Sequence, residues 1–146
     1  MKITSSVFEN NNKIPSKYTC DGENINPPLN FIDVPKNTKS LVLLMDDPDA
    51  PMGTFVHWVV FNINSEEKQI NEDFVPSGSI QGKNTVGNDK YIGPCPPSGT
   101  HRYFFKLYAL SSDLDLDKNA GKEQVEEAMK NNIIEKSELI GLYKKI

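Results

Sequence analysis

Hydrophobic residues fall in short runs separated by polar stretches rich in proline and glycine. Residues 40–45 are almost entirely apolar, and residues 55–62 are rich in β-branched and aromatic side chains. Strands that are buried on both faces have this pattern, so both runs predict central strands of a layered structure. Residues 102–110 and 138–145 predict two further strands.

Weaker patterns fill the remainder of the chain. Residues 3–8 and 29–31 predict short strands, whereas residues 64–88 show no regular period and predict a long surface loop. One helix is predicted at 122–131, with Asp117 or Asn119 as its cap. Three apolar residues share one helical face, which predicts that the helix packs on a sheet; they are Val125, Ala128 and Met129.

Length and charge narrow the possible classes of protein. A chain of 146 residues with 37% hydrophobic content, ten prolines and nine glycines predicts one mainly β domain, residues 1–146. The net charge is −4, and no basic stripe is interleaved with aromatic residues, so we expect no nucleic-acid partner. No apolar run has the length of a signal peptide or a transmembrane segment, so we expect a soluble cytoplasmic protein.

The two cysteines, Cys20 and Cys95, lie far apart and form no CxxC motif. Their spacing offers no zinc or thioredoxin-type chemistry. The sequence leaves undecided whether the two cysteines form a disulfide. Because the predicted compartment is reducing, two free thiols are the favoured interpretation.

The most informative stretch is the proline-rich loop at residues 93–100, which leads directly into the strand at 102–110. Its three prolines lack an N–H group, so few backbone donors remain to bind an anion. Those donors lie on Gly93, Cys95, Ser98, Gly99 and Thr100. His101 and Tyr103 follow two residues apart, which places both side chains on the same face of a strand.

The only two histidines, His57 and His101, both stand near the start of a strand that follows a proline-rich loop. Asp47 and Asp49 belong to another proline-stiffened segment, after the strand at 40–45. If these strands are neighbours, the carboxylates, imidazoles and Tyr103 converge at one edge of the sheet. A carboxylate favours the charged imidazole, so the cluster predicts an anion site.

Other interpretations use the same residues. A metal centre of His57 and His101 with Asp47 or Asp49 lacks an HxH or i, i+4 motif. A hydrolase using Ser98 or Cys95 lacks a nucleophile-elbow pattern. A purely structural turn also fits the loop. A non-catalytic anion pocket requires only donors and shape, so we favour a binding protein without catalysis, metal or cofactor over these interpretations, which remain open.

Three ordered motifs carry a resemblance to a known family: residues 47–51, the His57-Trp58 pair and residues 93–103. Together with the segments at 18–24 and 138–143, they resemble the phosphatidylethanolamine-binding protein family, which is also called the Raf kinase inhibitor protein family. The resemblance runs nearly end to end and fits the short bacterial and archaeal branch.

The resemblance implies a Greek-key antiparallel β-sandwich with one or two peripheral helices. It also implies a cis peptide before Pro51 and a small pocket for phosphate or a similar anion. With Asp49 added from the carboxylate argument, the predicted ligand-binding residues are Asp47, Asp49, Ala50, Pro51, His57, Gly93, Pro96, Pro97, His101 and Tyr103.

The predicted function is therefore a non-catalytic binding protein for a phosphate-bearing ligand, with a regulatory role as one interpretation. A phospholipid headgroup, a phosphopeptide or a nucleotide would each supply the phosphate. The first alternative is a serine protease inhibitor that acts through the loop at 71–90, and the second is a modulator of kinase signalling. Three differences from the animal members of the family count against kinase binding. They are the short segment between Pro51 and His57, the shorter loop before His101 and the missing C-terminal extension.

Overall fold

Two β-sheets and one α-helix make up the fold in the computed structural model, which describes residues 1–146. The strands are β1 Lys2–Thr4, β2 Asn12–Lys13, β3 Leu29–Ile32, β4 Ser40–Asp47, β5 Phe55–Asn64, β6 Gln69–Ile70, β7 Ile80–Gln81, β8 Thr100–Leu110 and β9 Ile133–Lys144, and the helix α1 is Lys122–Met129. The smaller sheet has the order β1-β3-β6, and the larger has the order β2-β9-β8-β4-β5-β7. The predicted mainly β class is confirmed, with one difference: β2 and β9 run parallel.

Strand β4 is buried at all eight positions because both of its faces are covered. Leu41, Leu43 and Met45 belong to the apolar core that joins the larger sheet to the smaller one. Val42 and Leu44 belong to a second core on the opposite face. This alternation follows from the two-residue period of a strand.

The helix covers the second core, as predicted. Val125 and Met129 are buried there, 0% and 2% exposed. The helix ends two residues earlier than predicted, and Asn131 beyond it adopts a left-handed backbone with φ of 70°. Asparagine tolerates this conformation better than most residues, so it suits a helix end.

The predicted helix cap is wrong. Gly121 is the N-cap, and the Gln124 side chain accepts a hydrogen bond of 2.9 Å from its N–H group. Asp117 instead accepts a hydrogen bond from the Asn119 N–H, which shapes the turn before the helix. The reach of a glutamine back to the N-cap amide satisfies the helix start without a capping carboxylate.

The short elements also differ from the prediction. Strand β1 ends at Thr4 because the Ser5 hydroxyl donates to the Pro28 carbonyl and accepts from the Val7 N–H, which turns the chain. The predicted loop at 64–88 contains strands β6 and β7, each only two residues long. A two-residue strand shows no period in sequence, so this pattern could not reveal them.

A β-bulge interrupts the pairing of β4 and β5. Met45 pairs with Trp58 and Asp46 pairs with Val56, so His57 is an extra residue on β5. A bulge bends the strand and redirects the side chain of the extra residue. His57 consequently lines the same cavity as Asp47.

The end of β4 meets the starts of β5 and β8 at one edge of the larger sheet. Asp47 pairs with Phe55, and Asp46 pairs with Phe104. Because both neighbours run antiparallel to β4, the segment after β4 lies beside the segments that precede β5 and β8. This topology brings the three sequence motifs together.

We predict that Val125→Ala lowers the free energy of unfolding by about 2 to 3 kcal/mol, because it removes fully buried methyl groups and leaves a cavity. Urea unfolding followed by circular dichroism measures the change. Val86→Ala is the matched control, since Val86 is 52% exposed and its truncation should cost little. Equal costs at the two positions would contradict the described docking of α1.

Candidate ligand pocket

A cavity of about 300 Å³ lies at this edge of the larger sheet. Nine of the ten predicted ligand-binding residues line it: Asp47, Ala50, Pro51, His57, Gly93, Pro96, Pro97, His101 and Tyr103. The tenth, Asp49, does not. Polar side chains concentrate on the three strands, whereas the flanking loops contribute mainly apolar groups.

His101 and Asp47 form a buried hydrogen-bonded pair. The distance from His101 Nδ1 to Asp47 Oδ2 is 2.7 Å, and the two residues are 8% and 3% exposed. The other carboxylate oxygen of Asp47 accepts a hydrogen bond of 2.8 Å from the Asp49 N–H. Both oxygens of Asp47 thus accept, so His101 Nδ1 donates, and its Nε2 remains free for a ligand.

His57 is fixed by a backbone carbonyl. Its Nδ1 lies 2.6 Å from the Ile92 carbonyl oxygen, which can only accept, so Nδ1 carries the hydrogen. Burial lowers the pKa of His57, which favours the neutral ring. Nε2 then carries a lone pair.

Tyr103 lies between the two imidazoles. Its ring makes an edge-on contact with His57 at 5.2 Å between centroids and a stacked contact with His101 at 6.5 Å. Burial, with a further contribution from the Asp47 carboxylate, raises the pKa of Tyr103 well above its ordinary value. The phenol therefore keeps its hydrogen near neutral pH and can donate it to a ligand.

Asp49 binds Arg102 instead of facing the cavity. Its two carboxylate oxygens accept hydrogen bonds of 2.9 Å from the guanidinium, and one of them also accepts from the Arg102 N–H. The guanidinium hydrogen bonds lower the pKa of Asp49 to about 2. Asp49 thus ties the segment after β4 to the start of β8.

The proline-rich loop is joined to a distant segment by a disulfide between Cys20 and Cys95, with 5.4 Å between their Cα atoms. The favoured interpretation of two free thiols is therefore wrong. The loops are already held together, because the Cys20 N–H donates to the Pro94 carbonyl at 3.1 Å and the Gly93 N–H donates to Asn24 Oδ1 at 2.8 Å. These contacts bring the two sulfurs within bonding range.

Only one of the predicted backbone donors is available to the cavity. The Gly93 N–H is used by Asn24, and Ser98, Gly99 and Thr100 lie outside the cavity lining. Cys95 is the one predicted donor residue that lines the cavity without a bond already made by its N–H. Side chains from the strands, more than loop amides, therefore supply the polar groups of the pocket.

The expectation of a cis peptide before Pro51 is also wrong, since every peptide bond is trans. The Gly53 N–H donates to the Ala50 carbonyl at 3.2 Å, which closes a turn with Pro51 at its second position. Gly53 adopts a positive φ of 103°, which only glycine takes readily. A trans proline fits this turn position, so the chain reverses without the less stable isomer.

Sequence reasoning missed several lining residues, and Ile92 is the most important of them. Its role depends on its carbonyl group, which every residue possesses, so its side chain gave no signal. Gly93, which was predicted, has to be glycine because an added Cβ would lie 2.4 Å from both Asn24 Oδ1 and the Tyr18 carbonyl oxygen. The other missed lining residues are Met52, Gly53, Thr54, Phe55 and Thr85.

Two properties of the structure bear on other classes of protein. No group of three or more His, Cys, Asp or Glu side chains is arranged to hold a metal ion. No helix has the length and apolar character needed to cross a membrane, and α1 has eight residues. The cytoplasmic location stays a prediction.

The fold and the cavity define a class of small β-sandwich proteins with a ligand pocket at one edge of the larger sheet. The family model of phosphatidylethanolamine-binding protein matches residues 4–144. The chain belongs to this family, which confirms the resemblance found in the sequence.

Relatives and solved structures agree with this assignment. The chain is 49% identical to a UPF0098 protein of Methanothermobacter thermautotrophicus, with 99% of each chain covered. It is 50% identical to a UPF0098 protein of Aquifex aeolicus, covering 99% of this chain and 89% of the relative. The crystal structure of a phosphatidylethanolamine-binding protein homolog from Chlamydia trachomatis is 42% identical, with a TM-score of 0.96 and coverage of 99% and 97%.

A more distant structure preserves the same fold. E. coli YbcL, described as a member of the mammalian family, is 29% identical, with a TM-score of 0.92 and coverage of 99% of this chain and 98% of its own. The sandwich therefore persists while most side chains differ.

We predict that reduction of the Cys20–Cys95 disulfide lowers the free energy of unfolding by about 2 to 4 kcal/mol, because the bond closes a long loop in the unfolded chain. The sulfurs join residues 75 positions apart. Urea unfolding with and without a phosphine reductant measures the effect. The Cys20→Ser/Cys95→Ser double variant is the control and should not respond to reductant. An unchanged midpoint for the wild type would contradict the prediction.

We predict that Asp49→Asn destabilises the protein by about 1 kcal/mol at neutral pH, since it weakens the hydrogen bonds to Arg102. The folded pKa of about 2 lies below the ordinary value of 3.8, so the stabilising effect is present above the unfolded value and disappears as pH falls toward the folded one. Thermal unfolding across this range should show the two proteins converging in acid. A difference that grows in acid would refute the described pairing.

Proposed function

We propose that this protein is a non-catalytic binding protein whose pocket holds the phosphate group of a ligand. The observation that carries the proposal is the convergence of His57, His101 and Tyr103 around one cavity, with both imidazole Nε2 atoms free of protein partners and the Tyr103 phenol beside the Asp47 carboxylate. Contacts on the side away from the cavity already hold each of these side chains, so little side-chain entropy is lost on binding. A tetrahedral oxyanion offers enough oxygens to contact all three.

The size of the cavity supports a phosphate with a small substituent. Its volume of about 300 Å³ lies at the lower end of the range for small-molecule sites. Apolar groups surround the polar floor and suit a short carbon substituent, and they include Pro51, Phe55, Ile92 and Pro96. A phospholipid headgroup, a phosphorylated side chain or a nucleotide phosphate would each present such a group.

Two features favour binding over catalysis. Cys95 is held in the disulfide and offers no thiolate, and Ser98 lies outside the cavity lining. Neither residue therefore meets the requirement that a nucleophile lie within hydrogen-bond reach of a base. The protease-inhibitor and kinase-modulator alternatives stay predictions, since the geometry of the pocket addresses neither.

We expect His101→Ala to weaken the binding of inorganic phosphate and phosphorylethanolamine by about tenfold or more, because it removes a hydrogen bond to a charged group. Phosphorus NMR titration of the wild type and the variant measures both affinities. Asp113→Asn is the control, since Asp113 is exposed and lies outside the pocket. Amide spectra of each variant establish that it is folded. Absence of saturable binding by the wild type would refute the proposed function.

A further inference from the structure

The pocket contains two imidazoles but no permanent positive charge. Neither lysine nor arginine lines it, and its one carboxylate, Asp47, is negative. Arg102 is bound to Asp49 beside the pocket. A cavity that attracts dianions would be expected to contain a fixed cation, so this pocket selects its ligand in another way.

The two hydrogen bonds behind the imidazoles determine what each ring presents to a ligand. His57 Nδ1 donates to the Ile92 carbonyl, and His101 Nδ1 donates to Asp47. In the neutral rings both Nε2 atoms are therefore acceptors. Neither Nε2 atom makes a hydrogen bond to the protein. Thr38 Oγ1 is the only fully buried polar side-chain atom without a partner, so the two unpartnered Nε2 atoms are not fully buried and remain accessible in the pocket.

A fully deprotonated phosphate would meet two lone pairs at these positions. Contact becomes favourable when hydrogen lies between the nitrogen and the oxygen, carried either by the imidazole or by the ligand. A phosphate monoester has a second pKa near 6, so it readily accepts such a hydrogen at neutral pH. A phosphate diester has no second ionisable oxygen and depends entirely on the imidazole.

Arg102 is the positively charged neighbour of the rings, and it is bound to Asp49 outside the cavity lining. The titratable and charged groups around the two rings are Asp46, Asp47, Asp49, Tyr91, Arg102, Tyr103 and Tyr143. Asp46 lies on the other face of the sheet, where Lys106 and Lys122 each approach it to 3.0 Å. Tyr103 contributes its own phenol hydrogen, so a hydrogen on either imidazole Nε2 must come from solvent.

On this geometry we infer that the pocket binds phosphate monoesters with the uptake of a proton and discriminates against phosphate diesters. The inference rests on the proposed phosphate-binding function and specifies the chemical class of ligand. Tyr103 donates to one oxygen of the monoester, and a hydrogen shared with His57 Nε2 occupies another. The lowering of the His57 pKa by burial agrees with this, because a ring that is neutral before binding has a proton to gain.

The inference fixes the sign of the pH dependence. A proton taken up on binding strengthens affinity as pH falls, by about tenfold per pH unit while the free ligand is a dianion and the imidazoles are neutral. A site that prefers the dianion would show the opposite trend and bind more tightly as pH rises. The two kinds of site are therefore separable by one titration series.

Isothermal titration calorimetry with methyl phosphate and dimethyl phosphate tests the inference on the smallest matched pair of ligands. At about pH 8, in buffers that differ in ionisation enthalpy, we expect methyl phosphate to bind with uptake of about one proton. At about pH 6 it should bind at least tenfold more tightly than dimethyl phosphate. Equal affinity for the two esters, or binding without proton uptake, would overturn the inference while leaving phosphate binding intact. Failure of both esters to bind would instead refute the proposed function.

The His57→Gln variant locates the proton. The glutamine side-chain amide can donate a hydrogen bond but does not titrate, so we expect the variant to show reduced proton uptake and a smaller preference for the monoester. Uptake equal to that of the wild type would overturn the role of His57.

Vesicle sedimentation then separates lipid from soluble sources of the monoester. Vesicles that contain phosphatidic acid present a monoester, and vesicles of phosphatidylethanolamine present a diester. Sedimentation with phosphatidic acid alone assigns the monoester to a lipid, and binding of methyl phosphate without sedimentation assigns it to a soluble molecule. Sedimentation with phosphatidylethanolamine alone would overturn the inference.

Discussion

Burial of β4 on both faces is the constraint on which the remaining architecture depends. An eight-residue strand with no exposed position needs a partner sheet on one side and the helix on the other. The last two residues of the strand are both aspartates, and the alternation of the strand sends them to opposite faces. Asp46 meets Lys106 and Lys122 beneath the helix, whereas Asp47 enters the pocket and holds His101. One strand end therefore supplies both a buried structural ion cluster and the anchor of the site.

The two carboxylates have different consequences for binding. Asp46 is compensated by two lysines, so it stabilises the contact between the helix and the sheet without adding charge to the pocket. Asp47 instead accepts hydrogen bonds from the His101 ring and the Asp49 N–H, and it forms no ion pair with a lysine or arginine. The polar side of the cavity therefore consists of two imidazoles, a phenol and a carboxylate, and it contains no fixed cation.

Long elements and paired motifs were predictable from sequence, whereas contacts between distant loops were not. The strands around residues 40–45, 55–62 and 102–110 were found because buried strands of this length carry a clear hydrophobic pattern. The convergence of His57, His101 and Tyr103 followed from proline-rich loops next to strands and from the family resemblance. Sequence could not show that Asn24 would accept a hydrogen bond from the Gly93 N–H, since that contact joins residues 69 positions apart.

Three departures from the sequence-based expectations share one physical cause. The disulfide, the trans peptide before Pro51 and the position of Asp49 are all set by the packing of loops, where local propensity decides little. A carboxylate between two prolines resembles a ligand in sequence. Only the three-dimensional position of Arg102 shows that Asp49 already has a partner.

The extra residue at position 57 makes the sheet less regular, but it places the His57 side chain in the pocket. A version of β5 shortened by one residue at this point would lose this bulge and keep only the register shift between Leu41 and Leu43, and the histidine would point to the opposite face. Such a protein would have the same composition apart from one residue and a more regular sheet, yet its pocket would keep a single imidazole. Any redesign of this sandwich for stability must therefore preserve an irregularity that a stability criterion alone would remove.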